Sequence, residues 1–212
     1  RENLIREGIH PSKIIISGNP TFEVLDYFKN EIQKSNILKI LNLEPKEYIP
    51  VTLHRSENVD NPKTLQKIFL ALGDINKKLD KKIIYPMHPR TKSKIKGIKI
   101  PEGVFIIKPL GFYDFNALSM NAFCLIGDSG TTPEEGLYHK VPCVSIRKTT
   151  ERFETIESGA HIVAGVESEN IVNAVKTITS IPWGARYDLN LDGFLPSNVV
   201  LNALASNIKN YF

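Results

Sequence analysis

Ala122-Phe123-Cys124-Leu125-Ile126, running into Gly127-Asp128-Ser129-Gly130-Thr131-Thr132-Pro133-Glu134-Glu135, is the stretch on which the fold turns. An apolar run that stops at Asp-Ser-Gly and then opens into a helix reads as a short buried strand, a tight turn and a helix start. Such a junction leaves unpaired main-chain N–H groups at the carboxyl end of the strand, which suits an anion such as a diphosphate. The segment lacks the Gly-Lys-Ser/Thr ending of a nucleotide-hydrolase phosphate loop and the Gly-x-Gly-x-x-Gly spacing of a dinucleotide site. An anion here must be held in some other way.

Outward from this stretch, strand-like and helix-like patterns alternate. Residues 48–53, 82–87, 104–107, 122–126, 142–146 and 161–164 read as strands. A helix opens at Asn61-Pro62 and runs to about 78, with Leu65, Ile68, Phe69, Ala71 and Leu72 at helical spacing. Asp114 is expected to cap a helix through Met120, and further helices are expected over 133–139, 150–158, 168–179 and 196–209. This alternation predicts an α/β fold, a parallel sheet with helices on both faces.

Composition narrows the class. With 212 residues, 42% hydrophobic and 24% charged, the chain has the make-up of one full α/β core. The net charge of +4 comes from 27 basic and 23 acidic residues, and the basic ones are scattered. The densest cluster, Arg90, Lys92, Lys94, Lys96 and Lys99, has no interleaved aromatics for base stacking, so it reads as a solvated face and not as a nucleic-acid site. Cys124 and Cys143 both fall inside apolar runs and read as buried free thiols, which fits a reducing cytoplasm. No run approaches the ~18 apolar residues of a membrane span. The chain opens Arg1-Glu2-Asn3-Leu4-Ile5, in what reads as the middle of a helix, and the strand-like run at 13–17 would need a sheet built by other residues. We therefore expect the carboxyl-terminal part of a longer protein.

In an open parallel sheet, ligands lie beyond the carboxyl ends of the strands. The residues just past the strands are His54, Arg55, Ser56, Glu57 and Asn58, then His88-Pro89-Arg90, residues 109–112, Asp128-Ser129-Gly130, and Arg147 with Thr149-Thr150-Glu151-Arg152. Histidines and arginines at one rim make an anion site that could also move protons. Each has a plainer reading. His54-Arg55 could be a surface loop with a helix cap, and His88 could fix a turn before proline. Glu134 and Glu135 suit the first turn of any helix, and Arg152 could simply pair with one of them. His139 and His161 fall away from this rim and read as structural.

Taken together, residues 51–58 (Val-Thr-Leu-His-Arg-Ser-Glu-Asn), His88-Pro89-Arg90, Asp128-Ser129-Gly130 with Glu134-Glu135, and residues 147–154 (Arg-Lys-Thr-Thr-Glu-Arg-Phe-Glu) resemble the non-hydrolysing UDP-N-acetylglucosamine 2-epimerases, in the same order along essentially the whole chain. Gly18-Asn19-Pro20 resembles that family's crossover between domains.

The resemblance implies a GT-B type fold of two Rossmann-like halves, of which this chain supplies the carboxyl-terminal one. Residues 1–20 would then be the end of an amino-terminal domain and the crossover, 21–195 the nucleotide-sugar-binding domain, and 196–212 a closing helix packed on the amino-terminal domain. It further implies that Ser129 and Gly130 meet the diphosphate, Glu135 the ribose hydroxyls and Arg152 the closing edge of the nucleotide pocket. Phe115 would lie near the uracil. His54, the catalytic residue, would face the diphosphate and the reacting sugar, while Arg55 and Glu57, also assigned to the UDP-binding set, share the His54 loop.

The reaction so implied inverts C2 of a UDP-2-acetamido sugar by elimination and re-addition of UDP, with no cofactor and no metal. The implied setting is cytoplasmic, in a homodimer, supplying capsule or O-antigen synthesis, with a UDP-sugar as the only ligand. The carboxylates for the C2 proton would lie in the amino-terminal half, so this chain alone is expected to be inactive.

Thr131 and Pro133 stand where many members have glycine and glutamine. Residues 111–115, 120–124 and 197–200 instead resemble the branch that makes UDP-N-acetyl-L-fucosamine from UDP-2-acetamido-2,6-dideoxy-L-talose. Two further readings stay open: a UDP-binding module without catalysis, and a GT-B glycosyltransferase, against which Thr149-Thr150-Glu151-Arg152 weighs.

Overall fold

The computed structural model describes residues 1–183 and 195–206, excluding the side chain of Arg90. It divides into two compact units, Phe28–Leu189 and a second made of Arg1–Tyr27 with Asn190–Phe212.

The larger unit is built on six parallel strands: β1 (Tyr48–Thr52), β2 (Lys82–Pro86), β3 (Val104–Ile107), β4 (Leu125–Gly127), β5 (Cys143–Ser145) and β6 (His161–Val163). Their order across the sheet is β3-β2-β1-β4-β5-β6. The chain builds outward from β1 to β3, then returns to the other side of β1 and builds outward again. That reversal puts a topological switch point between β1 and β4, where a crevice opens at the carboxyl ends. Register keeps those ends level, with Thr52 beside Gly127 and Gly127 beside Ser145.

Both faces of the sheet are covered, so its central strands are apolar without alternation. Helices α6 (Pro62–Leu79) and α11 (Ser168–Ser180) pack on each other over one face, burying Phe69, Leu72, Ile171 and Val175 against Val51, Ile83, Ile126 and Val144. Asn61 caps α6 as its sequence predicts, accepting the N–H groups of Lys63 and Thr64. On the opposite face lie α8 (Phe112–Met120), held to β1 by the Tyr48 hydroxyl on the Leu118 carbonyl, and α9 (Thr132–Tyr138). Packed on α8 are α3 (Lys29–Gln33) and α4 (Ile37–Leu41), in a region where sequence periodicity singled out no element. Cys124 and Cys143 are buried free thiols.

Several expected elements differ. Helix α8 begins two residues before Asp114, and its N-cap is Gly111 with no side-chain cap. Asp114 instead accepts the Ser35 hydroxyl at 2.6 Å, so its carboxylate ties α8 to the start of α4 (Ile37–Leu41). The strand expected over 122–126 lies over 125–127 instead; ahead of it the Ala122 N–H closes a turn on the Ser119 carbonyl and the Phe123 N–H donates to the Tyr48 carbonyl. The helix expected over 150–158 shrinks to α10 (Phe153–Glu157), since the Thr150 side chain takes the Arg152 N–H in a local turn.

The smaller unit contains α1 (Glu2–Arg6), a 3-10 turn at Pro11–Lys13, α2 (Pro20–Tyr27) and α12 (Pro196–Ala205). The strand-like run at 13–17 is not a strand; it has no partner strand among the described residues, and Ile15 and Ile16 are exposed. Helix α12 packs on α2, and the Ser197 N–H and hydroxyl both donate to Glu23. Val200 and Leu204 of α12 are exposed, whereas the part of the expected helix beyond 206, with Ile208, lies outside the described residues. No described helix is long and apolar enough to cross a membrane.

Candidate functional site

Asp128, the first residue past β4, organises the switch point. Its carboxylate is fully buried and accepts three donors in four contacts: the His54 N–H on both oxygens at 3.1 Å, the Arg55 N–H at 2.9 Å and the Asn58 side-chain amide at 3.1 Å. A buried carboxylate is tolerated only when its lone pairs are taken by donors, as they are here. The same Asn58 amide also donates to the Ile146 carbonyl at 2.9 Å, linking the loops after β1, β4 and β5.

His54 is fixed from two sides. The Leu53 carbonyl just before it accepts both the Tyr85 hydroxyl at 2.7 Å and the Thr91 hydroxyl at 2.8 Å. Its ring places Nδ1 3.3 Å from Asp128 Oδ1, and its side chain remains 41% exposed, open to a ligand. The His88 ring lies 5.8 Å away, centroid to centroid, so the histidines after β1 and β2 are neighbours. Arg55 precedes the short helix α5 (Ser56–Val59), and Glu57 is exposed in its first turn.

After β4, Ser129 and Gly130 form the turn into α9, with the Ser129 hydroxyl 3.0 Å from that of Thr131 and accepting the Thr131 N–H. Gly130 has no left-handed backbone, yet a Cβ there would lie 2.9 Å from Glu151 Oε1 and 4.0 Å from the guanidinium groups of Arg147 and Arg55. Three loops therefore meet at Gly130. Arg147, past β5, is nearly buried and pairs with Glu151 at 2.9 Å.

In the first turn of α9, the buried Glu134 carboxylate lies 2.7 Å from Arg152 Nε, an ion pair whose angle makes no hydrogen bond at that nitrogen. The plainer reading of Arg152 thus holds for this contact, although its side chain keeps 37% exposure. Glu135 is half-buried, and desolvation, reinforced by the Glu134 charge, pushes its carboxyl up to about 7. Phe115 is half-buried in α8, beside the exposed Phe112 and Tyr113.

His139 and His161 are structural, as their positions predict. His139 bonds Asn116 at 3.0 Å, His161 bonds both Thr155 and Ser145, and burial lowers each to about 4. Among the described residues, no group of three or more His, Cys, Asp or Glu side chains is placed to hold a metal ion.

Asp128, Asn58, Arg147 and Glu151 are the residues that sequence reasoning left without a role. Asp128 and Arg147 stood past the right strands, but an aspartate in a turn and an arginine after a strand carry no mark of the partners they find across the sheet.

The order of the sheet and the side chains at its switch point define a doubly wound α/β domain with a polar, cation-rich crevice between β1 and β4. Comparison with known proteins agrees on the fold and defines the family. The sequence profile described as UDP-N-acetylglucosamine 2-epimerase matches residues 1–188. The UDP-N-acetylglucosamine 2-epimerase of Methanocaldococcus jannaschii is 37% identical over 185 residues, 83% of this chain and 50% of its own. A crystal structure of the M. jannaschii UDP-GlcNAc 2-epimerase in complex with UDP-GlcNAc and UDP superposes with a TM-score of 0.86 at 33% identity, covering 96% of this chain and 58% of that one. A Rickettsia bellii UDP-N-acetylglucosamine 2-epimerase gives a TM-score of 0.83 at 30% identity, over 97% of this chain and 57% of that one.

The chain belongs to the UDP-N-acetylglucosamine 2-epimerase family. It spans about half the length of the curated relatives it matches, and its fold is the carboxyl-terminal half of their GT-B type architecture.

Proposed function

We propose that this chain is the UDP-gripping half of an enzyme that inverts C2 of a UDP-2-acetamido sugar, with UDP-N-acetylglucosamine as substrate. The observation that carries the reading is the convergence on the switch point: Asp128 fastens the His54 loop to the Ser129-Gly130 turn, and Arg55 and Arg147 reach the same turn.

In this reading Ser129 and Gly130 receive the diphosphate, Glu135 the ribose hydroxyls, Arg152 the edge of the nucleotide and Phe115 the uracil side. Elimination of UDP builds negative charge on the departing diphosphate, and fixed cations and N–H donors stabilise that charge most where water is excluded. His54, with Nδ1 turned towards Asp128, works through its other nitrogen on the diphosphate side of the sugar. Arg55 and Glu57 frame that loop. The carboxylates that handle the C2 proton belong to the amino-terminal half that the longer relatives carry. Residues 1–20 end that half and form the crossover, 21–195 make the nucleotide-sugar-binding domain, and the closing helix over 196–212 packs back on the amino-terminal half. A cytoplasmic homodimer supplying surface polysaccharide synthesis is the setting in which such an activity is used.

The test is an NMR assay of C2 inversion on UDP-N-acetylglucosamine, with a polypeptide joining this chain to an amino-terminal half of the family. Inversion, and its absence with this chain alone, is the expected result. Sugar transfer to an acceptor without inversion would overturn the reading.

A further inference from the structure

What crowds Gly130 is the end of a side chain and not the backbone. Its backbone is not left-handed, yet a Cβ would press on Glu151 Oε1 at 2.9 Å. The same point lies 4.0 Å from Arg147 Nη1 and 4.0 Å from Arg55 Nη2, so two cations converge there, with the Glu151 carboxylate nearer to it than either. Glu151 Oε2 pairs with Arg147 Nη2 at 2.9 Å.

The two partners are unequal. The Arg147 side chain is only 9% exposed, and its Nε is buried without a hydrogen-bond partner among the described residues. Glu151 is 50% exposed, so it can swing into water at small cost whereas Arg147 cannot follow. A half-exposed ion pair is weak, on the order of 1 kcal/mol or less. A diphosphate brings more charge and more acceptor oxygens to a guanidinium than a single carboxylate does.

We propose that Glu151 is an internal stand-in for the ligand's diphosphate: its carboxylate holds Arg147 beside Gly130, and a nucleoside diphosphate binds by displacing it and taking Arg147 as a ligand. The proposal rests on the reading that UDP binds at this crevice. It assigns Arg147 a direct contact with the diphosphate and makes Glu151 a competitor that sets the threshold for binding.

The test is calorimetric titration of the chain with UDP, and with uridine as the probe lacking phosphate, for the wild type, Glu151→Gln, Arg147→Gln and the double variant. Glu151→Gln should bind UDP about 3- to 5-fold more tightly and uridine unchanged, because only the competing charge is lost. Arg147→Gln should weaken UDP binding by about 10-fold or more, and in that background Glu151→Gln should shift affinity by less than about 2-fold. Because Glu151 is half-exposed, its variant retains the fold, and that arm decides the matter even if Arg147→Gln melts. UDP affinity unchanged or weakened in Glu151→Gln, with the wild type binding UDP, removes the stand-in and leaves the UDP site in place. Uridine tightening in parallel with UDP also overturns it. UDP bound by neither wild type nor Glu151→Gln overturns the UDP reading itself, and this proposal with it.

Discussion

Asp128 accepts the main-chain N–H of His54 on both carboxylate oxygens, at 3.1 Å each, although 74 residues separate the two in sequence. The bond spans the switch point of the sheet, so the position of the histidine is set by the strand next door. Asp128→Ala would leave the N–H groups of His54 and Arg55 and the Asn58 amide without this acceptor. A loss of about 3 kcal/mol in urea denaturation is expected, with a smaller loss for Asp128→Asn, which keeps one acceptor oxygen.

Arg152→Ala should lower stability by about 1–2 kcal/mol at pH 8, because the buried Glu134 carboxylate loses its counter-ion. Adding Glu134→Gln should restore most of it. UDP affinity should not recover in the double variant, since a contact between Arg152 and the nucleotide is lost in both. Recovery of affinity along with stability would reduce Arg152 to a partner of Glu134.

Titration separates two opposing trends. Glu135 titrates at about 7 in the fold, above the ordinary 4.5, so the folded state holds its proton longer than the unfolded one. Its contribution is fully present below about 4.5 and is lost as pH rises through about 7. His139 and His161, lowered to about 4 from 6.5, contribute above 6.5 and lose that contribution as pH falls through 4. Glu135→Gln should therefore gain stability relative to wild type between pH 5 and pH 8, as measured by urea midpoints at each pH. A difference that stays flat across that range would contradict the burial of this carboxyl.

Gly136→Ala should destabilise the chain by about 1–3 kcal/mol even though alanine is the better helix former. An added Cβ would lie 2.8 Å from the Val141 carbonyl and 3.3 Å from Leu125 Cδ1, forcing α9 away from the sheet. A higher melting temperature for this variant would contradict that packing.

Much of the scaffold was legible because its signals are local. Alternation of apolar runs with amphipathic stretches placed all six strands, and the Asn61-Pro62 start of α6 held to its cap. Misreadings arose where a distant partner decided the outcome. Asp114 looks like a helix cap until Ser35 reaches it from α4's threshold, and 13–17 has strand composition without a strand beside it. The rim residues were legible as a set, since every one follows a strand. What the set does internally was legible only for Arg152, whose plainer reading was a pair with Glu134 or Glu135; Asp128 with His54 and Arg147 with Glu151 depend on strand order and side-chain direction.

The central claim is that UDP occupies the switch point of this sheet, and titration of the isotope-labelled chain with UDP by heteronuclear NMR tests it most directly. The account predicts saturable shifts concentrated in the amides of residues 54–58, 128–135 and 147–152, with weak affinity because closure by a second half is needed for tight binding. Shifts that never saturate, or that gather at the β3 edge and leave Ser129 and Gly130 unmoved, would contradict it.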